Sequence, residues 1–84
     1  MSRRIIYFYF MKKEPEKIQS IVPLHIEYWK KLKLCKYLGG PFADKSGSLI
    51  TFEIESIEEA EKIVINDPFI FHDLIEYKWI KGGI

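Results

Sequence analysis

The chain is poor in the residues that most often announce a chemistry. Its single cysteine, Cys35, excludes an internal disulfide. Its two histidines, His25 and His72, are far apart, and with one thiol they make no zinc set. No phosphate-binding glycine loop and no nicotinamide fingerprint occurs, so no metal and no cofactor are expected. Lys and Arg number 13 against 12 Asp and Glu, and a net charge of +1 gives no general pull towards nucleic acid or a membrane. The run "IIYFYFM" is too short to span a bilayer, and charges follow it. The basic start "MSRR" leads to no small-residue cleavage site, so neither a signal peptide nor a membrane helix is expected, and the setting is read as cytoplasmic. Repeats, linkers and low-complexity tracts are missing too.

What remains is a small, aromatic-rich globular sequence. The 84 residues suit one domain over 1–84, and 48% are apolar. Six Phe, five Tyr and two Trp give much aromatic surface for so short a chain. A core this size is marginal, and dimerisation would add burial.

Period and punctuation predict the elements. "RRIIYFYFMK" is β-branched and aromatic, a strand over about Arg4 to Met11. Ile6, Phe8 and Phe10 share one face, and Ile5, Tyr7 and Tyr9 the other, so the strand is expected to be covered on both. Ile18, Val22, His25, Trp29 and Leu32 step by four and three, which is one face of a helix. Pro23 places the regular part of that helix from near Ser20, with the proline in its first turn. "KLCKYL" reads as a short strand over about Leu34 to Leu38, and "GGPFADKSGS" as a loop. "SLITFEIE" alternates as a strand, and "SIEE" is a capping box from Ser56 to Glu59. The helix it opens stops at "NDP". "FIFHDL" is a turn or short helix, and the last strand covers about Leu74 to Lys81.

The order βαββαβ is the ferredoxin-like arrangement, α+β, with an antiparallel sheet and both helices on one face. Following the chain up and down, three segments meet at one rim: the His25 end of the first helix, the "GGPFADKSGS" loop and "NDPF".

With those segments in view, the chain resembles the YciI-like family (YCII-related domain) along nearly its whole length. "PLHIEYW", "GGPF", "SLITFEIES", "SIEEAEKIV" and "NDPFIFHDLIEY" carry the resemblance. It implies a dimeric α+β barrel, in which two copies pack sheet to sheet. It also implies a His/Asp active site at His25 and Asp67, with Gly40 and Pro41 matching the family's glycine-proline turn. Val22 stands where many relatives carry arginine, and Leu34 where many carry glycine. A few relatives resemble dehydrochlorinases or lactone isomerases, which move protons on small cyclic organic molecules.

The chemistry would need little more. Histidine exchanges protons near neutral pH, and a carboxylate on one ring nitrogen sets its tautomer. Tyr28, Trp29 and Phe69 would line a pocket for a flat ring, with Asp44, Ser46 or Ser48 orienting substrate or water. Each residue also has a plainer reading. A lone histidine on an apolar stripe is more often a hydrogen-bonded core residue. An aspartate before proline often caps the next turn. Tyr7 and Tyr9 read as core of the dimer sheet. The expected function is thus a small homodimeric acid-base enzyme, with a non-catalytic ligand-binding or accessory dimer as the alternative. RNA-recognition modules share this element order, and Tyr7, Tyr9 and Phe52 invite the comparison. Strand three lacks their basic-glycine-aromatic signature and carries Glu53 and Glu55 instead.

Overall fold

β1, Arg3–Met11, is nine residues long, and the six from Ile5 to Phe10 are all β-branched or aromatic. The computed structural model describes residues 2–82. After β1 come α1 (Pro15–Leu32), β2 (Cys35–Pro41), β3 (Gly47–Ile54), α2 (Ile57–Ile65), α3 (Pro68–Phe71) and β4 (Ile75–Gly82). The four strands are ordered β2-β3-β1-β4, with every pairing antiparallel. This is the ferredoxin-like α+β fold. The helices cover one face of the sheet, where Ile5, Tyr7, Tyr9, Ile50 and Phe52 pack with Trp29, Ala60 and Val64.

Two local expectations change. The first helix does not wait for Ser20. It starts at Pro15, with Glu16 in its first turn, and carries Pro23 inside it. Pro23 has no amide to offer the carbonyl of Gln19, four residues back. Both residues are exposed, so water can serve that carbonyl. His25 therefore lies near the middle of α1. The second strand is also longer than expected. Gly39, Gly40 and Pro41 belong to β2, facing Ile50, Leu49 and Ser48. β2 is an edge strand, where proline leaves no ladder bond broken. A register shift between Cys35 and Leu38, with Lys36 at φ 51°, bends its start.

The two apolar faces of β1 are distributed differently from the expectation. Tyr7 and Tyr9 were assigned to a sheet-to-sheet interface, yet both are buried beneath the helices. Strand alternation separates the faces without saying which one the helices take. Phe52 lies under the same helices, so none of these three rings is displayed as a base-stacking platform. The open face carries Phe8, Phe10, Tyr77 and Trp79 instead.

The second helix follows its sequence signal. Ser56 is the cap, its hydroxyl accepting from the Glu59 amide at 3.2 Å. One turn of α3 follows after Asp67 and Pro68.

Gly47 ties the strand pair together. It lies opposite Phe10, and a β-carbon there would collide with the carbonyl oxygen of Tyr9. Only the missing side chain allows β3 to come so close to β1. Gly47→Ala should therefore destabilise the fold by about 3 kcal/mol, as overpacking against backbone does. Urea unfolding measures this, and an unchanged midpoint would show that the strands can separate without loss.

Candidate active site

Asp67 is the only buried charged residue of the described core, at 0% exposure. It sits where α2 has ended and α3 begins, so the break at "NDP" aims its side chain inwards. Oδ1 accepts from the Phe69 amide at 2.9 Å, which caps α3. The same oxygen accepts from Nδ1 of His25 at 2.8 Å. Oδ2 accepts from the indole nitrogen of Trp29 at 3.0 Å. Three donors satisfy a carboxylate that would otherwise be costly to bury.

His25 and Trp29 are four residues apart on α1, so both reach down the same side of the helix. The Phe69 ring stacks on the imidazole, with centroids 4.1 Å apart and planes 16° apart. The His25 side chain keeps 12% exposure, which leaves one edge in reach of solvent. Its Nε2 lies 3.1 Å from the hydroxyl of Tyr9. These bonds define the tautomer. Asp67 only accepts, so Nδ1 carries the proton and donates it. In the neutral form of the ring, Nε2 then carries the lone pair, and the Tyr9 hydroxyl donates to it. The result is a continuous chain from Tyr9 through His25 to Asp67.

Burial, above all, pushes the Tyr9 phenol well up, with Asp67 and Tyr37 adding to the rise and a hydrogen bond with Ser48 opposing it. Tyr9 and Ser48 are cross-strand partners, so their side chains share the helix-facing side. Tyr7 is pushed up by the same kind of burial, then by Asp67 and Tyr9. Tyr28 and Tyr37 are raised more modestly, by burial first and Asp67 second. These hydroxyls therefore stay neutral and protonated at ordinary pH.

The structure brings together His25, Asp67, Trp29 and Phe69. Tyr28 lies beside them and donates to the Ile63 carbonyl at 2.6 Å, bracing α1 against α2. Of the turn residues, Pro41 faces Ser48, which is the cross-strand partner of Tyr9, so this end of the β2–β3 pair reaches the Tyr9 side of the cluster. The amide and hydroxyl of Ser46 both donate to Asp44 Oδ1, at 3.0 and 2.7 Å, within an exposed turn. Gly40 and Pro41 are exposed edge-strand residues, and a β-carbon on Gly40 would meet nothing. The rim expectation put the loop, His25 and "NDPF" together, and the Met11 amide, donating to the Ser46 carbonyl at 2.8 Å, holds the loop at the end of β1 that carries Tyr9. Sequence reasoning missed Tyr9. The available signal was a hydroxyl-bearing ring on a strand face that also carries the core. An open groove of about 600 Å³ runs along the outer side of α1, lined by Val22, Pro23, Ile26 and Lys30 among others, but neither His25 nor Asp67 lines it. Among the described residues no group of three metal-ligating side chains gathers. No helix of the described residues is long and apolar enough to cross a membrane.

The sequence profile of the YCII-related domain matches residues 3–81. The chain belongs to this family. A search of curated protein sequences finds no significant match. Among solved structures, the chain is similar to 5-chloro-2-hydroxyhydroquinone dehydrochlorinase from Burkholderia phenoliruptrix AC1100, solved in complex with 2,5-dihydroxybenzoquinone. The TM-score is 0.79 at 24% identity, covering 93% of this chain and 90% of that one. A conserved protein from Methanosarcina mazei Go1 superposes at TM-score 0.65 and 17% identity, over 99% of this chain and 91% of that one. Rv0793 from Mycobacterium tuberculosis does so at 0.65 and 10%, over 100% and 94%. At these identities the likenesses establish the shared fold.

The raised phenols set a pH limit for this family member. A folded tyrosine above its ordinary value of about 10 contributes fully below that pH. As pH rises past about 10, the unfolded chain releases phenolic protons that the folded chain still holds, so stability falls. Unfolding should steepen above about pH 10, with tyrosinate absorbance near 295 nm appearing together with loss of the helical signal. Tyrosinate that forms fully while the fold persists would contradict this.

Proposed function

We propose that the chain is a small enzyme of proton transfer, of lyase or isomerase type and dehydrochlorinase-like, acting on a small cyclic organic molecule. The observation that carries this is the hydrogen-bonded chain Tyr9–His25–Asp67, buried between aromatic rings. Asp67 holds the imidazole in one tautomer and stabilises the imidazolium that forms on protonation. The accepting atom is Nε2. The Tyr9 hydroxyl occupies it at rest, so a proton leaving substrate passes to the Tyr9 oxygen as the Tyr9 proton moves to Nε2. A substrate that displaces Tyr9 gives its proton to Nε2 directly. Phe69 and Trp29 exclude water and present flat apolar surface to a ring. Family membership and the shared fold with the Burkholderia dehydrochlorinase support this class, and they name the first compound to try.

That compound is 5-chloro-2-hydroxyhydroquinone, with released chloride as the readout. His25→Gln should lower turnover about 10²–10⁴-fold, the usual share of a general acid-base group. The variant's melting temperature should stay within a few degrees of wild type. If wild type releases chloride and His25→Gln does so equally fast, the acid-base role of His25 is wrong. The alternative is a ligand-binding or accessory dimer, favoured by Asp67 having every bond committed to structure. It predicts binding of 2,5-dihydroxybenzoquinone that survives His25→Gln, with no conversion of any substrate.

The working unit we propose is a homodimer through the open sheet face, in a reducing cytoplasm. Phe8 stacks on Trp79 with centroids 5.0 Å apart, and Phe10 lies against Phe42 at 5.4 Å. Phe10, Tyr77, Trp79 and Leu49 are all exposed. A contiguous aromatic face of this kind is what an interface covers. At its far end Arg4 donates to Thr51 at 2.8 Å and to Glu53 at 3.3 Å, a polar border to the patch. Wild type should elute as a dimer in light-scattering chromatography, and Phe8→Glu should shift it towards monomer. A wild type that is monomeric throughout would refute the interface.

A further inference from the structure

Tyr7 carries the one buried side-chain polar atom, among the described residues, that has no hydrogen-bond partner. Its ring is fully buried, 5.1 Å from Tyr9 and stacked 6.2 Å from Trp29. A buried hydroxyl left unpaired costs about 1–3 kcal/mol, and a phenylalanine ring would fill the same space without it. Such a group calls for an explanation in terms of what it meets when the site is filled.

The Tyr7 ring packs against Tyr9, whose hydroxyl bonds His25, and against Trp29, whose indole bonds Asp67. Tyr9 spends its proton on His25, while Tyr7 has its proton to give. Tyr37 belongs to the edge strand, stacks on Trp29 at 6.2 Å, and is 38% exposed. That ring and the accessible edge of His25 are the parts of the cluster that reach solvent.

We propose that the Tyr7 hydroxyl donates to the substrate oxygen on which negative charge develops as the Tyr9–His25 end removes a proton. The proposal rests on the acid-base reading of the same site. The substrate class is a small ring with a carbonyl oxygen beside an acidic C–H. The C–H bond breaks and its proton goes to the base. Its electron pair forms the new C=C bond, and the carbonyl π pair moves onto oxygen. That oxyanion accepts the Tyr7 O–H. Where a halide sits on the next carbon, the pair returns from oxygen and the halide leaves with its own bonding pair, giving hydrogen halide overall. A neutral donor aimed at the developing charge in a dry site is among the largest single contributions to such a step. Burial and Asp67 keep Tyr7 protonated and able to donate.

The test uses Tyr7→Phe, which keeps the ring, beside wild type, with 2,5-dihydroxybenzoquinone as the probe. Without ligand, the variant should melt at or above the wild-type temperature, because it loses a hydroxyl that has no partner. With ligand, its Kd should rise about 10-fold, equivalent to about 1.4 kcal/mol. A variant that melts clearly lower would show that the hydroxyl has a structural partner such as a buried water, and would overturn the proposal. So would a variant that binds as wild type does, while leaving the acid-base reading intact. A wild type with no saturable binding would overturn both the oxygenated-ring class and this role for Tyr7.

Discussion

Everything at this site depends on one buried carboxylate. Asp67 is out of water, and each of its oxygens must be paired inside the protein. The pairing brings in three donors at once: the amide that starts α3, and His25 and Trp29 from α1. Moving any of the three would leave charge unpaired in a medium of low dielectric. The cap of a one-turn helix and the tautomer of a histidine are thus set by the same atom. Capping and pairing with His25 were two readings of Asp67 in the sequence, and in the structure one oxygen, Oδ1, does both.

From that anchor the order of the protons follows. Nδ1 must donate, Nε2 must accept, and the nearest donor is a tyrosine on the central strand. Tyr9 is held there by strand pairing to Ser48 and by the close approach that Gly47 permits. The rings around it exclude water and press the phenols towards their neutral forms. Helix, loop and strand each contribute one member of the chain Tyr9–His25–Asp67, so the chain exists only when all three are in place.

Much of the fold was open to inference from the residues. The βαββαβ order followed from period and punctuation, and Ser56 marked the start of α2. Chain direction put the "NDPF" segment at the same rim as the His25 helix, and the family resemblance named His25 and Asp67 as the pair. The errors have physical causes. Pro23 suggested a late helix start, but on an exposed face water can serve the carbonyl that proline leaves unpaired. Gly39, Gly40 and Pro41 looked like a turn, but an edge strand tolerates both residue types. Asp44 and Ser46 bond to each other in the turn that follows β2.

Tyr9 was the deeper omission, and β1 shows why. Its two faces are equally apolar by residue class, so alternation cannot say which one the helices cover. Chemistry separates them. Every hydroxyl-bearing ring of "IIYFYFM" lies on one face and every bare phenyl ring on the other. A buried tyrosine needs a partner for its hydroxyl, and a phenylalanine needs none. The face with hydroxyls therefore belongs where polar groups wait, under α1 with His25 and Asp67. The face with bare rings suits a largely aromatic cover, such as the identical sheet of the proposed dimer. Read this way, the Tyr-Phe-Tyr-Phe alternation assigns both faces of the central strand before any coordinates are known.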